Sequence, residues 1–207
     1  MIEKLSCFGS EHKSNEEANI NLAIELCKKE DKNGIKEIVG NLNNKNKDIA
    51  NDCIKVLYEI GKRKPILISN YANEFLGLLN SRNNRMAWGS MIALSTITEF
   101  NIDLVFQNLD TVLTAYKNGS VIAIDSSITV FAKLCAGGKK YEDKIFPILI
   151  DHLKTCRIKE IPQHAGRMLV CINENNKSQF LDVLNSKKEF FTVPQLKRIE
   201  KIFDKID

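Results

Sequence analysis

The chain has 207 residues, of which 43% are apolar and 7% aromatic, with one Trp, 10 Gly and 4 Pro. This is enough apolar material to bury a core and too few turn residues for a β-rich fold, so wholesale disorder and all-β architectures are excluded. The formal charge of +4 is unevenly spread: residues 1–64 carry 12 Lys/Arg and 11 Asp/Glu, residues 65–138 carry 4 and 5, and residues 139–207 carry 14 and 10.

The first thirty residues read as a leading partial repeat. Leu5 and Phe8 are the apolar contacts expected of a short, degenerate helix within residues 1–10. Ser14-Asn-Glu-Glu17 has the spacing of a capping box, in which a hydroxyl and a carboxylate reciprocally satisfy helix-start amides. Ile20, Ala23, Ile24 and Cys27 then form an i, i+3, i+4, i+7 stripe, the mark of an amphipathic helix.

From residue 31 a period emerges. Ile35, Ile38, Val39 and Leu42 form one stripe; adding 37 gives Ala72, Phe75, Leu76 and Leu79, then Leu109, Val112, Leu113 and Tyr116, then Phe146, Leu149, Ile150 and Leu153. A second stripe follows each of these: Cys53, Val56, Leu57, Ile60; then Ser90, Ala93, Leu94, Ile97; then Ser127, Val130, Phe131, Leu134; and, at +38, Ala165, Met168, Leu169, Ile172. The pattern predicts four A/B helix pairs over residues 31–173 and a capping pair over 174–207, carried by Phe180, Leu181, Leu184 and then Leu196, Ile199, Phe203. One pair cannot cover its own apolar stripes, so neighbours must stack on it. The expected fold is an all-α, right-handed α-solenoid forming a single repeat domain over 1–207. Punctuation agrees. Asn84 and Ser120 fall where B helices need N-caps, Thr192-Val-Pro-Gln195 has capping-box spacing, and Pro162 and Pro194 suit first turns. Pro147 lies too deep for a first turn and predicts a bend or a late helix start.

The 37-residue period, the helix pair and the run DIANDCIKVLYEIG (Asp48–Gly61) resemble HEAT-type repeats over roughly residues 15–206. Later copies drift: NRMAWGSMIALSTIT (Asn84–Thr98) lacks the acidic turn, and Gly137 is displaced from its slot. The resemblance implies a protein-binding scaffold whose B helices line the concave side. On those helices the positions opposite the core form cross-repeat ridges: Asn51, Trp88, Asp125, Gln163; Lys55, Ile92, Thr129, Arg167; Tyr58, Ser95, Ala132, Val170. Residues 86–98 contain no charge, and residues 121–136 only Asp125 and Lys133. Such a surface is either covered within the chain or offered to a partner. The functional reading is a groove centred on Trp88, Ile92 and Ala132, with Arg85, Asp125, Gln163 and Arg167 as polar contacts. Its occupant would be a protein or peptide, with a second copy of the chain as one candidate.

A HEAT-like branch of DNA glycosylases acting on alkylated bases supplies the alternative, with Asp125 stabilising a developing oxocarbenium ion and Arg85, Trp88 and Arg167 holding the lesion and phosphates. The missing basic stripe disfavours it, and nucleic acid generally. His152 and Cys156, four apart on one helix, have metal-ligand spacing, but no second pair accompanies them; a surface His and a half-buried Cys are expected instead, with no metal or cofactor. Lys62-Arg63-Lys64 and the Lys/Arg of the last helix suit helix C-terminal complementation and a solvated cap. Six Cys without a C-x-x-C pair, no leader-like segment and no apolar run near the ~18 residues of a membrane span read as a soluble protein of the reducing cytosol with no membrane partner.

Overall fold

A computed structural model describes residues 1–8 and 16–206, all of whose regular structure is helical. The α-helices in chain order are α1 (Glu17–Lys29), α2 (Lys32–Gly40), α3 (Lys47–Arg63), α4 (Ala72–Leu78), α5 (Asn84–Ile97), α6 (Ile102–Gln107), α7 (Leu109–Asn118), α8 (Val121–Cys135), α9 (Lys139–Thr155), α10 (Ile161–Met168), α11 (Lys177–Ser186) and α12 (Val193–Phe203). The predicted B helices are α3, α5, α8, α10 and α12, and the A helices α2, α4, α7, α9 and α11. The chain divides into two compact units, residues 1–127 and 128–207, with the boundary inside α8.

The B stripes are the core. Every member of the first three, from Cys53 to Leu134, is fully buried at 0% exposure. In the first unit α3 packs against α1 on one side and α5 on the other, while α2 lies on α3 and α4 on α5. The α3–α5 contact is tight enough to require glycine. A Cβ on Gly61 would stand 2.2 Å from Thr96 Oγ1, and one on Gly89 would stand 2.8 Å from Ile54 Cγ1. Short polar side chains start α2, α3 and α5: Asp31 accepts from the Gly34 amide at 2.9 Å, Asn46 from Asp48 at 2.9 Å and Asn83 from Arg85 at 3.0 Å. The α5 cap is thus Asn83, one residue before the expected Asn84. Asn101 Nδ2 donates to the Ser69 carbonyl at 3.0 Å, tying the turn after α5 to the turn after α3.

Three expectations for this unit are corrected. The leading segment is not an α-helix but two 3₁₀ turns, Ile2–Lys4 and Ser6–Phe8; Leu5 is buried, whereas Phe8 is 52% exposed. The buried stripe of α1 is Asn19, Leu22, Ala23 and Leu26, one position away from the predicted one, with Ile20, Ile24 and Cys27 only half-buried. An apolar-only reading passes over Asn19, whose Oδ1 accepts the Ser6 amide at 3.0 Å inside the core. The third A stripe is also loose: Val112 is buried, but Leu109, Leu113 and Tyr116 are half-exposed, and the short α6 precedes them. The Ser14 capping box lies outside the described residues.

In the second unit α9 packs against α11 and α10, and α10 against α12. Phe146, Leu149, Ile150, Leu153, Phe180, Leu184 and Ile199 supply its core. Pro162 and Pro194 occupy first turns, and Thr192 forms a capping box with Gln195, whose Oε1 accepts the Thr192 amide at 2.8 Å. Pro147 does not mark a late start: α9 begins at Lys139 and continues through it, with the ring exposed to solvent. The buried Asn176 donates to the Cys171 carbonyl and to Glu142, both at 3.0 Å, fixing the turn that leads into α11.

Candidate binding surface

The polar faces of α3 and α5 meet in the first unit. Trp88 leans against Tyr58, ring centroids 6.0 Å apart at 49°, so two predicted ridges interleave here rather than running side by side. The Arg85 guanidinium, one helical turn before Trp88, sits 5.8 Å from the indole centroid. It is also ion-paired with Glu16 at 2.5 Å, and the same carboxylate reaches Lys55 Nζ at 2.8 Å. Lys55, placed opposite the core by periodicity, is in fact buried. Burial alone would lower its pKa, but the hydrogen bonds Lys55 donates to Glu16 and Tyr58 outweigh that and raise it. Burial likewise pushes the Glu59 carboxyl up, yet hydrogen bonds from Arg63 and Lys62 hold it at about 2. Lys62 and Arg63 bind Glu59, and Lys64 pairs with Glu30, so the basic run is consumed within the chain.

Ser6–Phe8 packs on α3, where the Cys7 amide donates to Asp52 at 2.8 Å. The face of α3 is therefore covered. That of α5 is open at one end, where a hollow of about 530 Å³ lies between the start of α5 and the α7–α8 turn. Trp88, half-buried, forms part of its wall with Leu79, Ala87, Ala115 and Ala123; Asn80, Asn84, Asn118, Ser81 and Ser120 supply polar groups. Among the described residues no charged side chain lines it.

The other predicted contacts are distributed as follows. Ile92 is half-buried on α5, and Asp125 is half-buried in the first unit's part of α8. In the second unit Gln163 is exposed on α10, and Arg167 donates to Thr129 at 2.6 Å, bringing together two members of one predicted ridge. Ala132 is fully buried and cannot belong to a surface; it turns inward beside Phe131 and Leu134. Sequence reading missed Glu16, because its partners are 39 and 69 positions away and nothing local announces them.

A second constellation lies on α9 and α10. His152 is buried, not on the surface, and its Nε2 stands 2.8 Å from Nδ1 of His164, itself fully buried. The ligand atoms of His152, Cys156 and His164 all lie within 4.8 Å of one another. Burial, and then the Glu160 carboxylate, push the Cys156 thiol up to about 11. His164 was the signal that spacing alone did not use: it is one of only three His in the chain.

All six cysteines are free thiols, and among the described residues no helix is long and apolar enough to cross a membrane. No protein-family model and no curated protein sequence matches the chain. Solved structures do. A designed armadillo repeat protein in complex with the peptide (KR)4 superposes with a TM-score of 0.71 at 13% identity, covering 100% of this chain and 98% of that one. An engineered protein gives 0.69 at 15% identity, covering 99% and 94%. Kap121p bound to Pho4p gives 0.62 at 16% identity over 94% of this chain, which spans 22% of Kap121p. With the buried 37-residue periodicity, these likenesses identify the fold as an all-α helical-repeat solenoid of the armadillo/HEAT type.

Proposed function

We propose that the protein is a non-enzymatic scaffold that holds a protein or peptide segment on the inner B-helix surface, with the hollow beside Trp88 as its principal seat. The observation that carries this reading is the hollow's chemistry. An aromatic wall offers apolar contact area, and the Asn and Ser side chains around it both donate and accept, as the main chain of an extended peptide requires. An uncharged lining suits a peptide backbone and not a phosphate backbone. The solved structures of this fold include a designed repeat protein with its peptide and Kap121p with Pho4p, which supports the same class of partner here.

Of the predicted anchors, Arg85 acts as a pair with Glu16, so an acidic group on the partner must compete with an internal carboxylate. Within the first unit Ile92 and Asp125 extend the proposed surface, and in the second unit Gln163 and Arg167 on α10 are proposed as contacts of their own. The experiment is selection of peptides from a randomised display library, followed by titration against Trp88→Ala and against Arg85→Glu with Trp88→Ala. Loss of about 2 kcal/mol, roughly 30-fold in Kd, with unchanged far-UV circular dichroism is the expected result. Selected peptides that bind both variants as tightly as the wild type place the seat elsewhere. Sedimentation of the same proteins tests a second copy as the occupant.

A further inference from the structure

We propose that His152, Cys156 and His164 form a zinc site that clamps the end of α9 to α10. Three observations converge. The donors are two imidazole nitrogens and one sulfur, a set that suits a borderline ion such as zinc(II) and excludes calcium and magnesium, which need several oxygens. Their atoms are already gathered: with Zn–N near 2.05 Å and Zn–S near 2.3 Å, a tetrahedral site has donor separations of about 3.3–3.6 Å. The observed separations run from 2.8 Å between the ring nitrogens to at most 4.8 Å, so they bracket that edge and small side-chain rotations reach it. Finally, the ligands come from rigid places. His152 sits in the last turn of α9, Cys156 is that helix's C-cap, its amide bonded to the His152 carbonyl at 2.8 Å, and His164 projects from the first half of α10.

Binding exchanges bonds in a balanced way. The hydrogen bond between the two imidazoles breaks, and the ring that donated it shifts that proton to its other nitrogen by exchange with solvent. Each neutral ring then gives a lone pair to the metal, and the Cys156 thiol gives up one proton to solvent as its sulfur binds. The Glu160 carboxylate is held by Arg157, which leaves the fourth position to a water molecule. The site closes the loop between α9 and α10, so its first consequence is stabilisation of the second unit.

The test uses the full chain without a purification tag, freed of metal by chelator and titrated with zinc(II) against a chromophoric competitor, then with cobalt(II). One zinc per chain is expected, with a rise in melting temperature. Cobalt(II) should give a near-ultraviolet thiolate-to-metal charge-transfer band and tetrahedral visible absorption. Cys156→Ser should abolish the band and weaken zinc at least tenfold, while Cys27→Ser leaves both unchanged. His164→Asn should weaken zinc similarly; because that side chain is fully buried, the half-buried Cys156 variant keeps the test decisive if His164→Asn does not fold. Absence of the band in the folded wild type, a band that survives Cys156→Ser, or binding of copper(I) but neither zinc nor cobalt would overturn the assignment.

Discussion

Replacing Glu16 by Gln keeps the side chain's shape and removes the one carboxylate shared by Lys55 and Arg85. At 2.8 Å and an effective dielectric of about 20, the Lys55–Glu16 pair has a gross attraction of roughly 6 kcal/mol. Most of that is cancelled, because Lys55 has left water and the Glu16 side chain is 41% exposed. Exposed pairs contribute about 0.2–1 kcal/mol, and stripping a buried charge of its partner costs about 3–5. Lys55 retains Glu59 at 3.3 Å, so Glu16→Gln should cost the first unit an intermediate ~1–2 kcal/mol. Trp88 is the chain's one Trp and belongs to that unit, so its emission in a urea titration isolates the effect; the midpoint should fall by roughly 0.5–1 M. The hydrogen bond from Lys55 holds the Glu16 carboxyl below its usual 4.5, so its contribution is complete above that pH and disappears as pH falls through the lowered value. The difference between wild type and variant should therefore close on acidification, and a cycle with Lys55→Met should show coupling. A variant within about 0.3 kcal/mol of wild type at neutral pH, or a difference that does not depend on pH, would refute the reasoning.

Gly89→Ala should destabilise the first unit by about 1–2 kcal/mol, because the β-branched Ile54 cannot yield and the clash outweighs a helix-propensity gain of about 1 kcal/mol. The double variant with Ile54→Ala should lose less than the sum of the single losses; strict additivity in urea melts would argue against the contact. Thr192→Ala should cost the second unit about 1 kcal/mol and Thr192→Ser almost nothing, read by chemical denaturation, since only the hydroxyl distinguishes them at the α12 cap. No methylated purine should be released from alkylated duplex DNA. Release that vanishes in Asp125→Asn would replace the scaffold with the glycosylase alternative.

What periodicity could read here was the burial of uninterrupted apolar and small stripes. Cys53 to Ile60 and Ser90 to Ile97 lie where a spacing of 37 puts them, and the serines fit because a small residue lets neighbouring helices approach. A polar residue that serves as core falls outside such a pattern. Asn19 bonds the backbone of Ser6, and moving it inward rotates the α1 stripe by one position. Ala132 occupies a position equivalent to Tyr58 and Ser95, all three of them buried, so this ridge faces other helices rather than solvent until Val170. The site residues followed the same rule. Arg85 and Trp88, neighbours on one helix, were legible together; Glu16 and His164 gain their roles only from long-range approach, which no local pattern encodes.

The charge-poor B surface was expected to be either covered within the chain or open to a partner, and in the first unit each description holds for a different helix. On α3 residues 49–61 are buried except the half-buried Asn51: Leu5 is buried, the Cys7 amide is spent on Asp52, and Glu16 neutralises Lys55. One repeat on, Glu16 reaches only Arg85, and past that ion pair the wall turns to Trp88 and a polar, uncharged rim. The lack of charge along residues 86–98 thus has two physical sources. Ser90, Ala93, Leu94 and Ile97 are uncharged because they are core, whereas Ala87 and Trp88 are uncharged although they line an open hollow. Core packing explains the first group fully and does not explain the second. An aromatic ring kept half-exposed among Asn and Ser side chains is what a peptide-binding seat demands, and for that reason Trp88, rather than the centre of the charge-poor stretch, is where the proposed function should be tested first.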